Sequence, residues 1–372
     1  MARPRVQLVV TADDFGYCPR RDEGIVEAFL AGTVTSVSLL VNGAAAESAA
    51  ELARRYSIPT GLHANLSEGR PVGPARHGAS TLLSPEGFFL GKMGFREAVA
   101  AGDVALPQVR EELEAQLNCF QELLGKGPTH VDGHQHVHVL PGGWTGAPRS
   151  GEADAPRRGD VRRPEPAPPA GVCQVFAEAL QAYGVRFTRL PLERGVGSCA
   201  WLEAPARVFA CAVERDARAA VGPFSRHGLR WTDVFVGMST CGRHMSAHRV
   251  SGALARALEG IPTGHALTAE LMAHPGYPSV PPAGGCGEGP DAFSCSWERL
   301  HELRVLTAPT LRARLAQEGV QLCALDDLDT KRPGEGVPCE AHSGALPGAL
   351  PILTPTDSQA TMPFNAQEGG QD

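Results

Sequence analysis

The chain has 372 residues and a formal net charge of −7, with its basic residues scattered, so no basic stripe offers itself to nucleic acid or to an acidic membrane. The N-terminal apolar run is too short for a signal peptide, and no run approaches the roughly 20 apolar residues of a membrane span. Ten cysteines without a Cys-x-x-Cys pair read as reduced thiols rather than a disulfide framework, which makes an intracellular, cytoplasmic protein the expectation.

Taken in order, residues 6–12 are a short apolar run ending in Asp13-Asp14-Phe15-Gly16, a strand followed by a polar loop. Ile25, Val26 and Phe29 share one face of a helix that Gly32 stops. Residues 34–41 are a β-branched strand, 44–56 an alanine-rich helix, and 60–66 a strand that delivers His63 and Asn65. The Gly- and Pro-rich residues 67–95 predict a long loop over a pocket. Val109, Leu113, Leu117, Phe120 and Leu124 then mark an amphipathic helix closed by Gly125.

Residues 128–141 are the most informative stretch. Read as extended backbone, they place His130, Asp132, His134, His136 and His138 on one face and Val131, Val137 and Val139 on the other. Four imidazoles and a carboxylate suit the mouth of a pocket, where neutral imidazoles ligate a metal, better than a dry core. The alternative is an exposed, His-rich edge strand.

Residues 142–170 are dominated by Pro, Gly, Arg and small side chains, cannot bury enough surface to offset their ordering entropy, and predict a disordered insertion. Alternation then resumes: helix 172–183, strand 185–190, a helix from about 202 to 218, strand 233–238, a helix through Val250, Leu254 and Leu258, and strand 266–273 before His274-Pro275-Gly276. A Gly/Pro/Cys loop at 279–295, helices at 298–306 and 309–317 and a last strand at 320–324 complete the pattern. Residues 331–372 lack periodicity and read as a disordered tail.

About eight strands alternating with helices predict parallel pairing and right-handed crossovers. The fold class expected is α/β, a single irregular (β/α) TIM-like barrel over residues 1–330, with a doubly wound open sheet as the rival. Active sites of such barrels lie at the C-terminal ends of the strands. Asp13, Asp14, His63, His134 and His274 all fall at or just after predicted strand ends. Near a cation, one of the adjacent aspartates can ligate while the other stays free as a base; otherwise the pair caps the next helix. His134, His136 and His138 are too many for one tetrahedral site with an open position. His274 suits a general acid or a core histidine, and Arg189, at another strand end, suits a partner for Asp13.

Thr-Ala-Asp-Asp-Phe-Gly at 11–16, Val-Thr-Ser at 34–36, Val-Asn-Gly at 41–43, Gly-Leu-His-Ala-Asn-Leu at 61–66, Thr-His-Val-Asp-Gly-His-Gln-His-Val-His at 129–138 and His-Pro-Gly at 274–276 together resemble the YdjC family of carbohydrate deacetylases. The resemblance runs in order from about residue 6 to 328 and implies a divalent-metal hydrolase that removes acetyl groups from acetylated sugars, N-acetylated oligosaccharides among them. Carried over by motif, it implies Asp13 as general base, Asp14, His63 and His134 as metal ligands, and His274 as general acid. It implies magnesium as the metal; the ligand types favour zinc, cobalt or nickel, because imidazole suits later transition metals and magnesium prefers oxygen. The partner expected is an acetylated oligosaccharide, not nucleic acid or membrane, and a homodimer stays open. The resemblance is interrupted at 142–170 and ends before the tail. His-x-His at 134–136 keeps a metal-dependent phosphoesterase or amidohydrolase as a rival, and a catalytically inactive sugar-binding barrel is the non-enzymatic alternative.

Overall fold

The computed structural model describes residues 6–74, 80–142, 171–261 and 266–330. Apart from Gly142, the segments expected to be disordered, 142–170 and 331–372, lie outside these residues. The strands are β1 (Val6–Phe15), β2 (Ser36–Leu39), β3 (Thr60–Ala64), β4 (Val131–Gly133), β5 (Val234–Val236), β6 (Leu267–Ala273) and β7 (Val320–Leu322). The principal helices are α1 (Pro19–Leu30), α2 (Ala46–Arg55), α3 (Gly91–Ala101), α4 (Leu106–Leu124), α5 (Val172–Ala182), α6 (Ala204–Arg226), α7 (Ala247–Leu258), α8 (Trp297–Thr307) and α9 (Pro309–Gln317).

All the strand pairs are parallel, in the spatial order β4-β3-β2-β1-β6-β5, with β7 pairing the start of β1. Single parallel bridges, Val131 to Thr188 and Phe187 to Arg230, carry the pairing from β4 round toward the segment that enters β5. The sheet therefore curls into an irregular α/β barrel. β1 is its central stave and is buried along its whole length, as expected of a parallel strand covered on both faces. Leu8, Val10 and Ala12 join the main core with Ile25 and Val37, while Val9 packs on the other side with Phe187 and Leu325.

Most expected strands are shorter than their sequences suggest, two of them markedly so. Residues 185–190 contribute only the bridging Phe187 and Thr188; Arg189 turns its side chain to the sheet's end, and Pro191 lacks the N–H that a ladder requires. The His-rich stretch is extended only over Val131–Gly133. Beyond it, Gln135 and His136 adopt left-handed φ angles of 54° and 61°, and residues His134–Val139 form tight turns. The expected row of imidazoles on one strand face is thus broken. Among the described residues no helix is long and apolar enough to cross a membrane.

The ends of the segment between residues 142 and 171 abut. A Cβ placed on Gly171 would come within 2.1 Å of the Gly142 amide nitrogen, and the Cys173 amide donates to the Leu140 carbonyl at 3.0 Å. A direct peptide link needs only about 3.8 Å between successive Cα atoms. Deleting residues 143–170 is therefore expected to leave the melting temperature unchanged or raised, as read by thermal unfolding of both forms. A fall of several degrees would mean that the segment contributes packing to the barrel.

Candidate active site

The C-terminal ends of β1, β3, β4 and β6 converge on one cavity of about 580 Å³, lined among others by Asp13, Asp14, His63, His134 and His274. In a regular strand, Asp13 and Asp14 would face opposite sides. Here the pairing of β1 with β2 shifts register between Ala12 and Phe15, and Asp14 takes a left-handed φ of 63°. Such bulges re-aim side chains beside active sites. Both carboxylates consequently face His63: Oδ2 of Asp13 lies 4.0 Å and Oδ1 of Asp14 3.5 Å from its Nε2. Neither caps α1, whose N-cap position is Cys18.

His63 is held from behind. Its Nδ1 donates to Oδ1 of Asp132 at 2.7 Å, which leaves Nε2 directed at the aspartates. Gly61, two residues earlier, cannot carry a side chain, because a Cβ would lie 2.3 Å from the His130 ring. His134 follows β4, with Nδ1 3.1 Å from Oδ1 of Asp14 and Nε2 2.9 Å from Oε2 of Glu68. The donor atoms of Asp14, His63 and His134 all lie within 4.8 Å of one another. Oδ1 of Asp14 is buried and lacks a well-formed hydrogen bond. A buried carboxylate oxygen facing two imidazole nitrogens, each oriented through its other nitrogen by a carboxylate, fits a divalent cation.

The electrostatics agree with that fit. Burial alone would lower His63, but Asp132 and Asp13 outweigh it and raise the imidazole to about 10. Burial likewise opposes protonation of His134, yet its contacts with Asp14 and Glu68 lift it to about 9. Protons thus fill a site whose surroundings demand positive charge. The Asp14 carboxyl lies well below the usual range: burial would raise it, but Arg299, 2.8 Å from Oδ2, and the two imidazoles prevail.

Asp13 is fixed differently. Arg189 grips it with two bonds, Nη1 to Oδ2 at 2.7 Å and Nη2 to Oδ1 at 2.8 Å. The same guanidinium reaches Oδ2 of Asp132 at 2.8 Å and Oε1 of Glu270 at 2.9 Å. His274, just past β6, places Nε2 3.8 Å from Oδ2 of Asp13 and Nδ1 3.7 Å from Sγ of Cys241. Burial and the nearby charge of Arg299 depress it to about 3, so its resting form is neutral.

The remaining histidines divide by environment. His136 lines the cavity. His130 and His138 are interior: Nε2 of His130 is 3.0 Å from Oγ of Ser38, and Nε2 of His138 donates to the Arg189 carbonyl at 3.0 Å. Burial above all holds both near 4. The expectation that these imidazoles avoid a dry interior fails because each finds a polar partner there. Glu68, Arg299 and Glu302 escaped the sequence reading. Glu68 lies three residues beyond Asn65, in the loop leaving β3, where a search for carboxylates near a strand end would have found it. Arg299 is 285 residues from Asp14 and has no local signal.

Residues 7–151 and 167–317 match the model of the YdjC-like protein family. The chain belongs to that family. A Homo sapiens carbohydrate deacetylase is 80% identical to this YdjC-like chain over 356 residues, covering 96% of the chain and 99% of the relative. A Mus musculus carbohydrate deacetylase is 83% identical over 338 residues, 91% of the chain and 100% of the relative. A chitooligosaccharide deacetylase from Serratia marcescens is 42% identical over 135 residues, 36% of the chain and 51% of that protein. In fold, the YdjC-like chain is similar to a solved Enterococcus faecalis protein provisionally described as a cellobiose-phosphate cleavage protein. The TM-score is 0.62 at 20% identity, covering 87% of this chain and 99% of that one.

Two outcomes follow from the charge arrangement. Arg189→Met would leave Asp13, Asp132 and Glu270 facing one another without their shared cation. Removing one partner of a buried ion pair costs about 3–5 kcal/mol, and denaturant unfolding should show a loss of that order; a loss below about 1 kcal/mol would mean that water relieves the carboxylates. For metal binding, the protons on His63 and His134 must be displaced. Affinity for zinc should therefore rise as pH increases from about 7 toward 9, with proton release visible as a buffer-dependent heat of binding. Conversely, raised folded-state values stabilise the metal-free fold fully below the ordinary 6.5, and that contribution is lost as pH rises through about 9 and 10. A buffer-independent heat would count against protonated ligands.

Proposed function

We propose that the chain is a metal-dependent carbohydrate deacetylase, a hydrolase that removes acetyl groups from acetylated sugars, N-acetylated oligosaccharides in particular. The observation that carries the reading is the convergence of Asp14, His63 and His134 next to a second carboxylate, Asp13, which is oriented by Arg189 and stays outside the donor triad. Family membership and the deacetylase names of its relatives favour the same chemistry. The retained triad speaks against an inert barrel, and Asp-Asp rather than His-x-His after the first strand speaks against the phosphoesterase alternative.

Asp14, His63 and His134 would hold the ion. One carboxylate and two imidazoles suit zinc or another late transition metal better than magnesium, which the family resemblance implies, because magnesium prefers an all-oxygen shell. A divalent cation at this place supplies Lewis acidity, polarising the acetyl carbonyl and acidifying a water. The protein's own groups handle the proton. Asp13 accepts it from the attacking water, with both carboxylate oxygens aimed by Arg189. In the tautomer with Nδ1–H directed at the Cys241 sulfur, Nε2 of His274 is free and faces Asp13. It can take up that proton and pass it to the departing sugar amine, which leaves as a neutral group. The cavity volume is in the range of small-molecule sites, and Phe209 and Phe293 give it apolar walls against which sugar rings can pack.

Asp13→Asn is nearly isosteric and should keep metal affinity while losing about 10²–10⁴-fold in turnover, the usual worth of general base catalysis. Asp14→Asn should instead weaken metal affinity, and added metal should partly restore its rate. Acetate release from an N-acetylglucosamine oligomer across a metal titration separates the two. Rescue of Asp13→Asn but not of Asp14→Asn would exchange the roles, and full activity of both would remove the aspartate pair from the chemistry.

A further inference from the structure

Beside the Asp14 centre the described residues hold a further set of donor groups that shares no residue with it. Cys241, His274 and Glu302 bring a sulfur, an imidazole nitrogen and a carboxylate oxygen within 4.8 Å of one another. They arrive from separate places: the turn after β5, the end of β6, and α8. Glu302 ties the other two together. Its Oε1 accepts the Gly242 amide at 2.5 Å and its Oε2 accepts the His274 amide at 2.5 Å. The backbone beside the thiol and the backbone of the imidazole are thereby anchored to one carboxylate, so the three donors are held in place by the fold. Cys241 is half-buried and, like His274, lines the cavity, so a small ion can reach these two donors, with the fully buried Glu302 behind them.

His274 presents its two nitrogens to different partners. Nε2 faces Asp13 at 3.8 Å, and Nδ1 faces the Cys241 sulfur at 3.7 Å. We propose that Cys241, His274 and Glu302 form a second, inhibitory site for a soft divalent ion such as zinc or cadmium, distinct from the Asp14–His63–His134 centre. A thiolate, an imidazole and a carboxylate suit zinc-type ions and not magnesium or calcium. Binding releases the thiol proton to solvent, because the thiolate is the ligand. Arg299 lies beside both centres, but the first also has Asp13, Asp132 and Glu68 close by, and these carboxylates set its affinity above that of the second. The site therefore fills at excess metal. An ion on Nδ1 requires the one proton of the neutral imidazole to sit on Nε2, and Nε2 then has no lone pair with which to take up a proton from Asp13. In this last respect the inference rests on the deacetylase reading.

The test titrates metal-free protein with cadmium, following thiolate-to-metal charge-transfer absorption in the ultraviolet and counting bound ions by equilibrium dialysis. The wild type should bind two ions per chain, with the absorption growing in with the weaker one. Cys241→Ser should bind one ion and lose that absorption; the other thiols are common to both proteins, so the difference spectrum reports Cys241. His274→Gln should weaken the second ion at least tenfold. In acetate release, excess zinc should inhibit the wild type and spare Cys241→Ser, each measured against its own rate at one equivalent. Two ions and an undiminished absorption in Cys241→Ser overturn the site, as does a wild type that binds a single ion without the absorption. Equal inhibition of both proteins overturns its inhibitory role. The binding measurements need no turnover, so they fail or succeed independently of the deacetylase reading.

Discussion

Charge balance in a dry place is the constraint on which the rest of this structure depends. Asp13, Asp14, Asp132 and Glu270 are all nearly inaccessible to water at one end of a parallel sheet. Isolated buried carboxylates are strongly unfavourable, and burial is tolerated only with paired charge and satisfied hydrogen bonds. Arg189 answers three of the four at once, with its five donors in a rigid fork. Arg299 and, at 3.6 Å, Arg21 answer Asp14. Two imidazoles complete the ring. Few substitutions at this end of the barrel can be independent, since each charge is shared by several neighbours.

The same network separates two aspartates that are adjacent in the chain. Asp13 is held by a guanidinium through both of its carboxylate oxygens. Asp14 is directed at two imidazole nitrogens. The bulge in β1 makes this division possible, since it turns both side chains inward and leaves them with different partners. A backbone irregularity of a few residues therefore decides which carboxylate can hold a cation and which can hold a proton.

The alternation of strands and helices, the parallel sheet and the placement of Asp13, Asp14, His63, His134 and His274 at strand ends were legible in the sequence, because apolar runs and their polar terminations are local signals. The pairing of Arg189 with Asp13 was also within reach, since both fall at the ends of expected strands. Local periodicity misled at residues 134–139, where alternating His and Val imitate a strand. The left-handed Gln135 and His136 and the packing of His138 beneath Gly133 are tertiary facts: a Cβ on Gly133 would meet the His138 amide nitrogen at 2.7 Å. Glu302 and Arg299 were invisible for the same reason. Their roles come from α8 crossing over the end of β6, and no spacing in the chain announces that crossing.

The abutting ends at Gly142 and Gly171 carry one more consequence. Where a chain leaves and re-enters a fold at nearly the same point, the length in between is decoupled from the scaffold's geometry. Loop closure then depends only weakly on how many residues are spanned. Evolution can lengthen, shorten or recompose such a stretch without disturbing strand register or the hydrophobic interior. In this protein the first of those two ends lies close to His134 along the chain, so the point at which length can vary and the chemistry are near neighbours in sequence.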